Sequence, residues 1–245
     1  MAGPALEGRS LMITLVISEE EIRRDEVVVA GHGYRHLFRA RRLRGEEPVR
    51  FVDGAGYARV GRALKVGSEK ARFILGEQAP ANEPVRHLEL LAPAPKASRL
   101  AWMVEKATEV GVSAIRLIHT ERAPRKLGGA ALDRLGRVAI AAVEQSQRSV
   151  VPEITGVHRF DEIESLLEPM SERWFLQPVA SADTAKGGES RAALLVGPEG
   201  GWTATEIGRL VAWKCRPLGL GSTILRIETA ATVGCAMLLV PGHRT

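Results

Sequence analysis

The chain has few cysteines and few aromatic side chains. Its 245 residues include two cysteines, Cys215 and Cys235, and 4% aromatic residues. Two cysteines exclude a disulfide framework or a cysteine-based zinc cluster, and we expect both thiols to be reduced and to fill space. No group of His, Cys, Asp and Glu has metal-ligand spacing, so we predict no metal. The 45% hydrophobic and 26% charged residues exclude a disordered or collagen-like chain.

Long hydrophobic runs are also missing. The apolar run at residues 11–17 is much shorter than the roughly 18 residues that span a bilayer, and it carries no cleavage signal. We therefore predict a strand there and expect a cytoplasmic protein. Basic residues exceed acidic ones by 34 − 29 = 5. This excess favours an anionic partner such as nucleic acid, although a plain cationic surface explains the net charge alone more simply.

Two parts of the chain differ in their hydrophobic pattern. Residues 11 to about 90 hold short strand-like runs with a turn at Asp53-Gly54, which predicts a small barrel or sandwich. After a linker-like stretch at 80–84, strands alternate with helices, which predicts an α/β domain with a mostly parallel sheet. We expect domains at 1–82 and 83–245. In the second, the predicted strands are 87–91, 114–118, 173–176, 192–196 and 217–220, and the predicted helices are 98–110, 130–147, 203–213 and 228–240.

A glycine-rich loop at residues 197–201 follows the apolar strand at 192–196. Thr203 and Glu206 have the spacing of a capping box, which predicts a helix start directly after the loop. A phosphate-binding loop needs Lys after its last glycine, where Trp202 stands, and Glu199 repels phosphate. The loop therefore favours a neutral or cationic ligand, and a tight turn without a ligand explains it equally well.

A second glycine-rich loop, residues 218–226, leads into the last predicted helix. It does not match the dinucleotide pattern G-x-G-x-x-G, because Ile224 stands where the third glycine is needed. Arg226 and Glu228 flank the start of the helix, and no charged residue follows from Thr229 to Val240. A helix that is apolar on every side is buried on every side, so we expect its own chain or a partner subunit to cover it.

Several motifs occur along the chain in a fixed order. They are His36-Leu-Phe-Arg39-Ala-Arg-Arg42, Phe51-Val-Asp53-Gly54, Lys106-Ala-Thr-Glu109-Val-Gly111-Val112, Glu121-Arg122, Glu144-Gln145-Ser-Gln-Arg148 with Pro152-Glu-Ile154, Gly197-Pro-Glu-Gly-Gly201 and Leu225-Arg226-Ile-Glu228-Thr229-Ala230. In this order they make the chain similar to the RsmE family. These SPOUT-superfamily methyltransferases methylate N3 of a uridine in bacterial small-subunit ribosomal RNA. The similarity extends over nearly the whole chain.

The resemblance implies a PUA-like RNA-binding β-barrel over residues 1–82, followed by a SPOUT-like α/β domain with a trefoil knot over residues 83–245. It implies S-adenosyl-L-methionine as the cofactor, bound by the loops of the knot. It also implies a homodimer that buries the C-terminal helix. The expected substrate is 16S ribosomal RNA in the assembled small subunit.

Carried over residue by residue, the resemblance predicts a cofactor site and two catalytic residues. We expect Arg226 to stabilise the negative charge that the base carbonyls gain when N3 loses its proton, although Arg226 could instead pair with Glu228. The second catalytic candidate is Glu228, and Glu199 or solvent could also accept the proton. The predicted cofactor-binding residues are Leu176, Gly197, Glu199, Gly200, Gly201, Leu220, Gly221, Ile224, Leu225 and Thr229.

An arginine-rich segment in the first domain predicts contact with RNA phosphates. Residues 35–44 contain five arginines and no acid, and such a run otherwise forms a solvated surface. Arg148 ends a predicted helix, where a cation also offsets the helix dipole. The predicted RNA-binding residues are Arg35, Arg39, Arg42, Arg122 and Arg148.

The chain departs from the family pattern at three places. Apolar residues occupy 11–17 where the family has Arg, Thr223 replaces an Arg, and Ile227 replaces a Thr. These departures keep two alternatives open: methylation of another RNA or base position, and a non-catalytic RNA-binding assembly factor. A nucleotide-binding enzyme is disfavoured by the missing phosphate-loop Lys.

Overall fold

The structure is a computed structural model that describes residues 12–44, 47–123, 127–178 and 190–240. The chain folds into two compact units. The first takes in the chain up to Glu83 together with Val143–Val150, and the second takes in Pro84–Ala142 and the chain from Val151.

The first unit is built on a curled, mixed five-stranded sheet. The strand order is β1-β3-β4-β5-β2, with β1 and β3 parallel and the other neighbours antiparallel. β1 confirms the strand predicted within the apolar run at 11–17. The strands are β1 (Ile13–Val16), β2 (Glu26–Ala30), β3 (Val49–Val52), β4 (Ala58–Val66) and β5 (Lys70–Ala79), and the helices are α1 (Glu19–Ile22) and α2 (Gly31–Tyr34), which continues as a π-helix (Arg35–Ala40).

Alternating burial along the strands builds the core of this unit. In β5 the buried side chains of Ala71, Phe73 and Leu75 alternate with exposed ones, as a half-buried strand requires. The Asp53-Gly54 turn between β3 and β4 is confirmed. The Asp53 carboxylate accepts the backbone N–H of Ala55 at 2.8 Å, and Gly54 has φ of 77°. This left-handed backbone favours glycine there.

The second unit contains a six-stranded sheet in which every neighbouring pair is parallel. The strand order is β11-β9-β10-β6-β7-β8, which confirms the predicted parallel sheet. Its central strands are buried apolar runs, as in sheets covered by helices on both faces. The strands are β6 (His87–Pro93), β7 (Ala114–Ile118), β8 (Glu153–His158), β9 (Glu172–Leu176), β10 (Arg191–Leu195) and β11 (Arg216–Leu218).

Helices cover both faces of this sheet. One apolar cluster includes Leu100 of α3, Leu135 of α4 and Leu238 of α7, and the other includes Ile163 of α5 and Leu210 of α6. The helices are α3 (Ala97–Val110), α4 (Gly129–Ser146), α5 (Ile163–Leu167) preceded by a 3-10 turn (Phe160–Glu162), α6 (Ala204–Ala212) and α7 (Ile227–Leu239).

Helix α7, which has no charged residue after Glu228, is buried on one side by its own chain. Leu238 and Cys235 belong to the core, and Gly234 lies so close to β10 that an added Cβ would approach Leu194 Cδ2 to 2.8 Å. Its opposite side exposes Val233 and Met237, and Val240 lies exposed just past its end. The expectation of complete burial is therefore met by the described chain on one side of the helix only.

Candidate functional site

The loops after three neighbouring strands meet at the carboxyl edge of the parallel sheet. They follow β9, β10 and β11, and together with the start of α7 they enclose a cavity of about 310 Å³. This edge is where open α/β sheets bind their ligands. Most of the lining is apolar side chain and glycine backbone, which suits a largely apolar ligand.

The first glycine-rich loop has a shape that only glycine tolerates. Gly201 has φ of 71°, and its N–H donates to the Pro198 carbonyl at 2.8 Å. A Cβ on Gly197 would approach Nε1 of Trp202 to 3.0 Å. The same Nε1–H donates to the Leu176 carbonyl at 3.2 Å. The indole therefore joins the loop to the end of β9.

The predicted capping box at the start of α6 is confirmed. Thr203 Oγ1 accepts the Glu206 N–H at 3.2 Å, and Glu206 Oε2 accepts the Thr203 N–H at 2.8 Å. Glu206 is buried, and its other oxygen accepts the Glu121 N–H at 2.9 Å. The next residue, Arg122, donates to the Gly200 carbonyl and lies over that glycine. The loop after β7 is thus bonded to the glycine-rich loop.

The second glycine-rich loop forms one wall of the cavity and of a neighbouring hollow. Gly221 has φ of 105°, and Ile224 at the mouth is 90% exposed. The neighbouring hollow has a volume of about 410 Å³. Its lining comprises Arg99, Glu199, Ile224, Leu225 and Arg226, and Arg99 pairs with Glu199. The two spaces share Glu199, Ile224 and Leu225.

Most of the predicted cofactor residues come together in this cavity. Gly200 and Thr229 do not line it. The predicted residues that do are Leu176, Gly197, Glu199, Gly201, Leu220, Gly221, Ile224 and Leu225. The lining residues Val196, Leu218, Trp202 and Ala230 were not among the predicted cofactor-binding residues. Val196 lies just past the end of β10, and Leu218 is the last residue of β11. A position at the carboxyl end of a predicted strand was the sequence signal that could have identified these two as lining residues.

The two predicted catalytic residues occupy different environments. Arg226 is the N-cap residue of α7 and lines the hollow. Glu228, in the first turn of the same helix, is buried and lines neither space. Its Oε2 has no hydrogen-bond partner among the described residues. Among those residues the two side chains form no ion pair, so their suggested pairing finds no support.

The predicted RNA-binding arginines also differ in their surroundings. Arg35, Arg39 and Arg42 are exposed in the first unit, and the neighbouring Arg41 and Arg44 are exposed as well. Arg148 is buried, and its Nη2 lies 2.6 Å from Glu83 Oε2. Its contact with RNA stays a prediction that this pairing does not support. Arg122 bonds to the glycine-rich loop, as described above, and its contact with RNA also stays a prediction.

Across residues 12–44, 47–123, 127–178 and 190–240, no three His, Cys, Asp or Glu side chains are grouped to hold a metal ion. In these ranges no helix has the length and apolar character that crossing a membrane requires.

Solved structures share this fold. A ribosomal RNA small subunit methyltransferase E from Neisseria gonorrhoeae, bound to S-adenosyl methionine, superposes with a TM-score of 0.77 at 24% identity, covering 92% of this chain and 95% of that one. A methyltransferase from Legionella pneumophila with bound SAM gives a TM-score of 0.79 at 22% identity, covering 93% and 96%.

Sequence comparisons identify the family. The family model described as RNA methyltransferase domain matches residues 81–239. A ribosomal RNA small subunit methyltransferase E from Synechocystis is 30% identical, over 91% of this chain and 76% of that protein. The Bacillus subtilis protein of the same name is 26% identical, over 82% and 85%. On this evidence the chain belongs to the ribosomal RNA small subunit methyltransferase E family.

Proposed function

We propose that this chain transfers a methyl group from S-adenosyl-L-methionine to N3 of a uridine in the 16S ribosomal RNA of the small subunit. The observation that carries the proposal is the cavity formed by the loops after β9, β10 and β11. Membership of the family supplies the substrate class. We also propose a cytoplasmic location, where such a substrate is found.

The lining of the cavity fits this cofactor. Leu176, Leu220 and Leu225 offer apolar walls for an adenine ring, and the backbones of Gly197 and Gly221 allow a close approach. Glu199 is the only charged side chain among the described residues that line it, and its sign suits a cationic sulfonium. When bound, the cofactor supplies an electrophilic methyl group.

Arg226 has a position suited to stabilise charge on the target base. N3 of uracil carries an imide proton, and loss of that proton spreads negative charge onto the carbonyl oxygens. The Arg226 guanidinium lines the hollow that adjoins the cofactor cavity through Ile224 and Leu225. A fixed cation there stabilises the developing charge without reorganising.

Arg226→Ala tests this assignment. Without the guanidinium we expect kcat for methylation of small subunits to fall at least about 100-fold, while the Kd for S-adenosylmethionine stays within about twofold because Arg226 does not line the cofactor cavity. Arg137→Ala, an exposed arginine on α4, is the matched control. A substantial residual kcat in Arg226→Ala would make this arginine structural.

Two carboxylates compete for the role of proton acceptor. Glu199 borders both the cavity and the hollow, whereas Glu228 is buried with an unpartnered Oε2 among the described residues. In pH–rate profiles at saturating substrates, the Gln variant of the true base loses the acidic limb. If both Glu199→Gln and Glu228→Gln keep that limb, solvent accepts the proton.

A trefoil knot is the fold-level part of the proposal. β11 lies at the edge of the sheet beside β9, yet α7, which follows it, packs on α3 and β6 on the other side of β9 and β10. We propose that the chain makes this return across the sheet by threading through its own loops. We further propose that the first unit is a PUA-like barrel whose exposed arginines at 35–44 contact RNA phosphates.

We also propose that two copies form a homodimer through the second unit. Val233, Met237 and Val240 line the exposed side and end of α7, and Trp102 is half-exposed on the neighbouring α3. An exposed apolar surface on this helix, which has no charged residue after Glu228, favours burial against another chain.

A further inference from the structure

We propose that Arg99 is a substrate-positioning residue that binds a phosphate of the target nucleotide in the hollow beside the cofactor cavity. The inference rests on the proposed function, because it assigns the anionic part of the same RNA substrate. It adds a residue that neither the sequence motifs nor the family resemblance singled out.

The hollow carries a net positive charge. Among the described residues its lining holds two cations, Arg99 and Arg226, and one anion, Glu199. The net positive charge suits an anion. Its volume of about 410 Å³ lies within the range of small-molecule sites, about 300–1,000 Å³. Because the hollow shares Glu199, Ile224 and Leu225 with the cofactor cavity, a nucleotide bound there has its base beside the methyl donor.

Arg99 lies in the first turn of α3. It is the third residue of α3, and no acidic residue occupies the first turn of that helix. The N-cap residue is Lys96, which makes no side-chain capping bond. α3 itself therefore provides no negative charge near Arg99, and Lys96 and the helix dipole add positive potential.

Arg99 forms a partly exposed ion pair. Its partner Glu199 comes from the glycine-rich loop, with side chains 28% and 61% exposed, respectively. An ion pair with one partner this exposed contributes little, because water solvates Glu199 well and screens the pair. A phosphate offers the planar guanidinium a bidentate partner, and so can replace Glu199. In the absence of RNA, Glu199 thus occupies the place on Arg99 that the phosphate takes.

Arg226 lines the same hollow and forms no ion pair among the described residues. Its guanidinium is therefore available to bind the base carbonyl oxygens, as proposed above. The two arginines thereby bind different parts of the nucleotide: Arg226 contacts the base and Arg99 contacts the backbone phosphate.

Steady-state kinetics on unmethylated small subunits test Arg99→Ala. Loss of a charged phosphate contact predicts a rise of about 10- to 100-fold in KM for the subunits, with kcat reduced much less. The Kd for S-adenosylmethionine should stay within about twofold, and Arg99→Lys should recover part of the loss. Arg137→Ala, with the same charge change on the exposed side of α4, should match the wild type.

Glu199→Gln separates this role from a purely structural pair. If Glu199 occupies the place on Arg99 that the phosphate takes, neutralising it at saturating S-adenosylmethionine leaves KM for the subunits equal or lower, opposite to Arg99→Ala. If the pair is structural, both substitutions raise KM alike, and the proposal fails.

Equilibrium binding of unmethylated small subunits supplies a readout that does not require methyl transfer. Removing one phosphate contact lowers the slope of log K against log salt concentration by about 1. An unchanged slope and KM in Arg99→Ala would overturn the proposal, as would an effect confined to the Kd for S-adenosylmethionine. If the wild type binds subunits but transfers no methyl group, the proposed function fails while the slope still decides the role of Arg99.

Discussion

Glu144 is a carboxyl group buried in the first unit, near the end of α4. Its Oε1 accepts the Val16 N–H at 3.2 Å, and its Oε2 lies 3.8 Å from His36 Nδ1. Burial raises the pKa of Glu144, although the Val16 bond and the charges of His32 and Arg41 oppose the shift. Burial, with the charge of Arg41, lowers the pKa of His36. Both shifts are toward the neutral form of the group.

Glu144→Gln should stabilise the protein at high pH. Because the folded pKa lies above the unfolded one, the wild type loses stability as pH rises through the folded pKa. The amide keeps an acceptor for Val16 but cannot ionise. We expect a higher free energy of unfolding than the wild type at pH 8 and no such gain near pH 4, measured by urea titration. A loss at pH 8 would mean that His36 or Arg41 stabilises the ionised carboxylate.

Neither thiol should react in the folded protein. Burial raises the pKa of Cys215 to about 12, and complete burial raises the pKa of Cys235 further. Because the thiolate is the nucleophile, iodoacetamide at pH 8 should label neither cysteine in the native state and both in denaturant, as counted by mass spectrometry. Labelling of the native protein would show that one thiol is accessible.

At the scale of elements, an ion pair between the buried Arg86 and the mostly buried Glu172 joins β9 to the segment before β6. Arg86 Nη2 lies 2.5 Å from Glu172 Oε1, and Arg86 Nη1 donates to the Leu238 carbonyl at 2.9 Å. The carboxyl end of α7 is therefore hydrogen-bonded to the same guanidinium. Burial alone would raise the pKa of Glu172, but the hydrogen bond and charge of Arg86 outweigh it and lower that pKa.

Arg86→Met should strongly destabilise the second unit. Removing one partner of a buried ion pair typically costs about 3–5 kcal/mol, and Arg216, whose Nη2 lies 3.7 Å from Glu172 Oε2, offsets part of this cost. Urea unfolding followed by tryptophan fluorescence measures the change, because all four tryptophans lie in the second unit. Arg159→Met, at an exposed pair with Asp161 in the same unit, should be indistinguishable from the wild type. Equal effects of the two substitutions would show that the Arg86 pair contributes no more than an exposed one.

Local signals predicted many of these elements from the sequence. The apolar runs of β6, β7 and β10, the capping box of α6 and the glycine that ends α3 each depend on neighbouring residues alone. β8 was not predicted, because its residues are mixed and mostly half-buried. The contacts of Arg122 with Gly200 and of Arg99 with Glu199 join residues 78 and 100 positions apart. Only the assembled sheet brings such residues together.

At the scale of the whole molecule, the chain passes between the units more than once. Val143–Val150 belong to the first unit although the chain on either side belongs to the second. No composition signal marks this segment. Asn82 and Ser149 show how it is bonded there: the Asn82 N–H donates to Ser149 Oγ at 3.1 Å. Such long-range bonds are invisible to a periodicity analysis.

The proposed homodimer makes a prediction about mass in solution. We expect sedimentation at the mass of two chains, and Val233→Glu with Met237→Glu should dissociate the dimer because both side chains would place charge in an apolar interface. Val211→Glu, on an exposed side chain of α6, should leave the mass unchanged. A wild type that sediments as one chain at micromolar concentration would contradict the dimer.

The central claim is tested most directly by following the methyl group. Small subunits from a strain that lacks this methylation are incubated with the protein and methyl-labelled S-adenosylmethionine, and the nucleosides of the digested RNA are identified by mass spectrometry. We expect label in N3-methyluridine from 16S ribosomal RNA, and we expect this label to be lost with Arg226→Ala. Label in another nucleoside, or no label although the protein binds the cofactor and the subunits, would contradict it.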